Sequence, residues 1–155
     1  MGIWIPYFLT TLSAFLLMEC VAWFSHKYIM HGFLWSLHHD HHKRDDVGFF
    51  EKNDYFFLLF GLPGISLIIW GTFNGFGYAF WIGAGISLYG FAYFFVHDIF
   101  IHQRFKLFRN SNSAYLRAIR RAHKMHHKHL SKEEGECFGM LWVPFKYFVD
   151  ELKSR

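Results

Sequence analysis

The sequence predicts an all-α integral membrane protein, with about three to four transmembrane helices and a histidine-rich site at one membrane face. Three observations carry that prediction. The chain is 53% hydrophobic and 23% aromatic, well above a soluble average. Its apolar residues are segregated into runs long enough to cross a bilayer. Ten of its twelve histidines follow a spacing that occurs twice in the same order. The length of 155 residues suits one membrane-embedded domain over residues 1–155.

Residues 3–24 form the first apolar run, with Glu19 as its single charge. A hydrocarbon core of about 30 Å needs roughly 20 such residues, so this segment is expected to cross. It lacks a basic leader and a small-residue cleavage site, and it reads as a retained span instead of a removed signal. Residues 55–73 and 78–96 are the second and third spans, joined by the turn Asn74-Gly75-Phe76-Gly77. Three crossings place residues 26–54 on the same side as everything after residue 96. That side holds all the histidines and every Lys and Arg, while the turn holds none. The positive-inside tendency therefore assigns the histidine side to the cytoplasm, and in a bacterium the membrane would be the cytoplasmic one. Residues 137–149 are apolar but too short to span and carry Pro144 and Lys146, so they are expected at the interface or capping the site. Cys20 and Cys137 lie far apart, without metal or disulfide spacing, and read as small apolar residues.

The patterned histidines are His26-x4-His31, then His38-x2-His41-His42, and again His97-x4-His102, then His123-x2-His126-His127. On a helix, positions i, i+3 and i+4 fall within an arc of about 100°, so each triplet presents three imidazoles that can converge on a metal. An i, i+5 pair on a straight α-helix is about 140° apart, so each H-x4-H pair either serves two ions or sits on a distorted helix. Ten imidazoles suit two ions with a position left open on each. Imidazole accepts Fe, Zn, Cu and Ni alike. A closed structural zinc site would normally include Cys, which the pattern does not supply. His39 and His129 fall outside the pattern and read as interfacial side chains. The spans carry no His, which counts against a metal transporter with ligands at the bilayer midplane and against a haem carrier.

Two electron-rich ions at the ends of apolar helices suit O2-dependent oxidation of a C–H bond in a lipid-dissolved substrate. No dinucleotide-binding glycines and no flavin or haem motif are present, so electrons must come from a separate reductase or ferredoxin.

The motifs His26-Lys-Tyr-Ile-Met-His31-Gly, Trp35, His38-x2-His41-His42, His97-Asp98-x3-His102-x-Arg104, Tyr115-Leu116, Ala122-His123-x2-His126-His127 and Glu136-Cys-Phe-Gly-Met-Leu resemble those of bacterial β-carotene 3-hydroxylases. These belong to the membrane-bound fatty acid hydroxylase superfamily. The resemblance runs from about residue 20 to residue 145. It implies two non-haem Fe ions held by His26, His31, His38, His41, His42, His97, His102, His123, His126 and His127, with no catalytic residue beyond these ligands. It also implies O2 as co-substrate and reduced ferredoxin with its reductase as electron source. β-Carotene, dissolved in membrane lipid, would pass through β-cryptoxanthin to zeaxanthin. The family is commonly drawn with four spans, against three apolar runs here. Fatty-acyl or sterol hydroxylation or desaturation, or ketolation of the same ring, would use a similar histidine array.

Several other residues carry expectations. Asp98 is a candidate carboxylate partner of a ligand histidine, with an ion pair to Arg104 as the rival. Asp40 is expected to face solvent. Glu19 lies seven residues before His26, on nearly the same helical face, and suggests a polar lining or proton route below the metals, with snorkelling as the alternative. Ser113 is a candidate N-cap for the helix carrying the last triplet. The basic set Arg104, Lys106, Arg109, Arg117, Arg120, Arg121, Lys124 and Lys128 fits anionic headgroups or an acidic ferredoxin; tied to a membrane, it does not suggest nucleic acid. Phe56, Phe57, Phe60, Trp70, Trp81, Phe91, Tyr93, Phe94 and Phe95 are candidates to line a polyene slot, or simply to pack helices and meet lipid.

Overall fold

The computed structural model describes residues 4–43, 48–108 and 110–153. Three helices are long and apolar enough to cross a membrane: residues Trp4–Phe33, Asp54–Phe73 and Tyr78–Ile101. The first is α-helical over α1 (Trp4–Phe24) and π-helical over Ser25–Phe33. The third is α-helical over α4 (Tyr78–Phe94) and π-helical over Phe95–Ile101. It thus outruns the predicted end at residue 96. Between them lie α2 (Trp35–His42) and α3 (Asp54–Phe73), followed by α5 (Ala114–His126) and α6 (Phe145–Lys153). The described residues contain no strand.

α4 is the middle helix and packs against both α1 and α3. Helices in lipid gain little from apolar burial against each other and rely on close backbone approach. Gly85 supplies that approach, since a Cβ there would lie 2.4 Å from the Thr11 carbonyl oxygen. The Thr11 hydroxyl donates to the Trp81 carbonyl at 3.1 Å in the same seam. α3 and α4 join through a turn in which Gly75 takes φ +80° and Phe76 φ +57°. At this end Tyr7 stacks on Trp81 at 5.5 Å and meets Tyr78 edge-on at 5.4 Å, the aromatic belt of the interface away from the histidines.

The opposite end carries the polar layer. Ser113 caps α5 by accepting the Leu116 N–H at 3.4 Å, as its position suggests. α5 buries Ala118, Ile119, Ala122, His123 and His126, a single face at helical spacing. α6 covers α5 through Ala118, Ala122 and Tyr147, fastened by Arg117 to Glu151 at 2.8 Å. The segment between α5 and α6 crosses no membrane. Residues 136–142 fold back as a strap against α1, His26 and His126, whereas residues 145–149 of the expected interfacial or capping segment begin α6 and pack on α5.

Candidate metal centre

The two π-helical segments resolve the H-x4-H spacing. A π-helix closes i to i+5 hydrogen bonds, so residues five apart share one face. The Leu34 N–H donates to Ile29 at 3.0 Å and the His102 N–H to His97 at 2.9 Å, both five residues back. His26 and His31 consequently lie with ring centroids 5.1 Å apart, and His97 and His102 4.5 Å apart. The distorted-helix alternative is the one taken, and neither pair is divided between the two clusters.

The triplets behave otherwise than expected, for each divides. His26, His31, His38, His42 and His126 form one group of potential ligand atoms, and His41, His97, His102 and His123 the other, all within 4.8 Å of one another in each group. The reason is angular. From residue i, position i+4 is rotated about +40° and position i+3 about −60°, so i and i+4 look one way and i+3 the other. His41 therefore leaves its neighbours for the second cluster, and His126 leaves His123 for the first. His127 sits between the clusters, its ring 4.3 Å from His42 and its Nε2 2.8 Å from that of His123.

The ring nitrogens are set for cations. His26 Nδ1 donates to the Phe138 carbonyl at 2.9 Å, His31 Nδ1 to Leu130 at 2.8 Å, and His126 Nδ1 to Glu136 at 3.0 Å. His38 Nδ1 donates to Asn53 Oδ1 at 2.7 Å. A neutral imidazole has one N–H, so these bonds leave every Nε2 as a bare lone pair. Yet His26 Nε2 lies 3.0 Å from that of His38, and His31 Nε2 3.2 Å from that of His126. Lone pairs at that separation repel unless a cation lies between them. In the second cluster His41 Nδ1 faces Glu51 at 2.9 Å and His97 Nδ1 faces Asp98 at 3.2 Å, while both Nε2 atoms are buried without a partner. Within each cluster the potential ligand atoms lie within 4.8 Å of one another, a spread from which either set could hold a metal ion. Two histidine clusters that can each hold a metal ion thus stand side by side.

Burial keeps these rings neutral. It pushes His38 down to about 3 and His127 to about 4, and lowers His41 and His123 well below the ordinary range. Asp98 faces His97 Nδ1 at 3.2 Å and accepts from Arg104 Nε at 3.0 Å. Arg104 also reaches Asp54 at 2.7 Å and Glu51 at 3.2 Å, and its side chain is only 8% exposed. The expectation of a headgroup contact fails for it, because three carboxylates flank it inside the site. Arg117 and Arg121 likewise turn to α6, pairing with Glu151 and Asp150, and Arg120 lies over the Phe100 ring. Lys106, Lys124 and Lys128 are exposed, and Arg109 lies outside the described residues. Asp40 does not simply face solvent, for it accepts the Lys52 N–H at 2.6 Å. His39 and His129 join neither cluster. Glu51 and Asn53 were not anticipated. They follow four residues that the structure leaves undescribed, and nothing in their spacing signals a contact with His41 and His38.

Among the described residues, the hydrogen bonds of Glu19 go to the strap and to Tyr89 and not to a histidine. Its Oε1 accepts the N–H groups of Met140, Leu141 and Trp142, each at 2.9 Å, and its Oε2 accepts the Tyr89 hydroxyl at 2.6 Å.

An apolar cavity of about 310 Å3 opens between α1, α3 and α4 and reaches His26 of one cluster and His97 of the other. Of the candidate aromatics, Phe56, Phe57, Phe60, Phe91, Tyr93 and Phe94 line it, while Trp70, Trp81 and Phe95 do not. Trp81 belongs to the far aromatic belt.

Fold and site together define a multi-span membrane protein with a paired histidine centre at the ends of its helices. The chain belongs to the fatty acid hydroxylase family, whose pattern it matches over residues 11–151. It is 42% identical to a beta-carotene hydroxylase of Pantoea ananas over 127 residues, 82% of this chain and 71% of that one. A beta-carotene hydroxylase of Paracoccus sp. (strain PC1) is 33% identical over 148 residues, 95% of this chain and 88% of the relative. The chloroplastic beta-carotene 3-hydroxylase 2 of Arabidopsis thaliana is 38% identical over 82% of this chain and 42% of its own length. No solved structure matches the chain.

Proposed function

We propose that this chain is a β-carotene 3-hydroxylase, converting β-carotene through β-cryptoxanthin to zeaxanthin with O2 and two external electrons per hydroxyl. The observation that carries the reading is the cavity. Its walls are apolar, Phe57, Ile65 and Phe91 on its lip are exposed on the outer surface of the bundle, and His26 and His97 stand at its inner end. A ring entering from lipid would meet both clusters without crossing water, and the polyene would trail between Phe60 and Phe94 toward the bilayer.

The ten patterned histidines are the proposed ligands of two iron ions. Iron bound there would supply O2 activation and an oxidant strong enough for an unactivated C–H bond. Phe138, Leu130 and Glu136 carbonyls and the Asn53 amide orient the first set of rings; Glu51 and Asp98 orient and charge-balance part of the second. The aromatic walls hold the ring and keep bulk water from the reacting carbon. Per hydroxyl, one C–H becomes C–OH and the second oxygen atom leaves as water, taking two electrons and two protons. Reduced ferredoxin, recharged by its reductase, fits as donor, with exposed Lys124 and Lys128 beside the ligands of α5 as an attractive surface for an acidic protein. The placement of every Lys and Arg on the histidine side supports a cytoplasmic face.

The test is expression in a bacterial host that accumulates β-carotene, with pigments identified by chromatography and mass spectrometry. Cryptoxanthin and zeaxanthin are expected. Unchanged carotene, with iron-loaded protein and working ferredoxin present, overturns the substrate; a ring ketone overturns the reaction.

A further inference from the structure

Glu19 stands inside the first span and is not a ligand, yet four donors converge on it. Three are the consecutive amides of Met140, Leu141 and Trp142, all at 2.9 Å from the same oxygen. Consecutive backbone N–H groups aimed at one point form a nest for an anion, and here the anion is a carboxylate contributed from more than 120 residues away in sequence. Hydrogen bonds to an ionised acceptor are roughly twice as strong as neutral ones, and more so away from water. The Tyr89 hydroxyl donates to Oε2, so both carboxylate oxygens carry a hydrogen bond.

The same strap holds histidines. Its Phe138 and Glu136 carbonyls accept from His26 Nδ1 and His126 Nδ1. Between them the backbone turns through the left-handed region at Cys137, φ +61°, which brings both carbonyls to the ligand side. At its other end Glu136 is tied by Lys146 and Tyr147. We propose that Glu19 is a positioning residue. By anchoring the strap at residues 140–142 it fixes the carbonyls that set the tautomer and aim of His26 and His126, and so completes the first cluster. His126 is the ligand that crosses over from the other half of the chain, so the lock also ties the two halves together. Tyr89 lines the cavity, which makes Glu19 the link between the slot wall and the ligand strap.

This inference rests on the clusters being metal sites and not on which lipid is oxidised. Its test uses the full chain in detergent, iron-loaded, as wild type, Glu19→Gln and Gly139→Ala. The second variant attacks the lock from the strap side, since a Cβ at Gly139 would lie 2.6 Å from Glu19 Oε1. Amide exchange at residues 140–142 and iron per chain are read alongside helical content. Exchange is expected to accelerate at least tenfold in both variants, with iron falling from about two to about one per chain and helical content retained. If Glu19→Gln yields no folded protein, Gly139→Ala carries the test by the same readouts. Unchanged exchange and iron in the folded variants overturn the proposal, as does equal loss of both irons. A wild type that binds no iron would instead remove the metal reading, and the exchange rates would still decide whether Glu19 holds the strap.

Discussion

At the scale of single residues, the site separates histidines that share a motif but not a role. His126 Nε2 faces His31 Nε2 at 3.2 Å, whereas His39 meets the Trp35 ring at 5.5 Å and, among the described residues, joins neither cluster. His126→Ala is expected to lower bound iron to about one per chain and hydroxylation at least a hundredfold, while His39→Ala stays within about twofold; metal analysis and pigment turnover decide between them. The buried rings also set the pH response of the metal-free chain. Burial disfavours the charged form and pushes His38 down to about 3 and His127 down to about 4 in the folded chain, below the ordinary value of about 6.5 for an unfolded histidine. The unfolded chain therefore binds more protons below that value. Stability is fully present above about pH 6.5 and falls as pH drops toward the folded values, by up to about 1.4 kcal/mol per pH unit for each ring kept neutral. A denaturation midpoint that rises on acidification from pH 7 to pH 5 would contradict this. The histidine residue types and their order are plain in the sequence. Their partners are not, because Glu51, Asn53 and the strap carbonyls reach the rings by tertiary contact, and a backbone carbonyl leaves no trace in residue identity.

At the scale of elements, the spans were legible because length and apolar character alone define them, and residues 55–73 differ from the observed helix by a single residue at the start. The H-x4-H spacing was legible as an anomaly, incompatible with one face of a straight α-helix, but its resolution by π-helix depends on Gly32 and the packing beyond it. Gly32 leaves helical geometry altogether, at φ −112° and ψ −123°, a kink inside the first π segment just before α2 begins at Trp35. The triplets show a finer limit. A 100° arc reads as one face, yet it is wide enough to send i+3 to one cluster and i and i+4 away from it. Between the spans, the seam of α1 and α4 closes at Gly85, where an added Cβ would also meet the Ala14 Cβ at 2.7 Å. Gly85→Leu is expected to push α4 from α1 and to cost about 1–3 kcal/mol, the usual range for overpacking. Unfolding in mixed detergent micelles would measure it, with wild-type resistance arguing that lipid and not α1 covers this face of α4.

At the scale of the molecule, the repeated motif becomes a reciprocal exchange. The first half supplies His26, His31, His38 and His42 to one cluster, the second supplies His97, His102 and His123 to the other, and each lends its i+3 histidine, His41 or His126, to the other half. Neither cluster is complete without both halves, so the histidines of α2 and α5 meet ring to ring, His42 against His126 at 4.9 Å and His41 against His123 at 6.1 Å. The cavity reaches one histidine of each π segment, so slot and centre are distinct parts that meet at His26 and His97. They are also separable by mutation. Gly90 lines the cavity, and a Cβ placed there meets no atom within 4 Å. A larger side chain at this position therefore grows into the slot and not into a neighbouring helix. Gly90→Leu is expected to fold, to keep both irons, and to lower zeaxanthin formation at least tenfold, because a filled slot denies the ring its approach while every ligand stays in place. Loss of iron in parallel with product would mean that the cavity wall supports the histidines directly. Full product formation would mean that the ring reaches the centre by another route, past the strap or from the polar face.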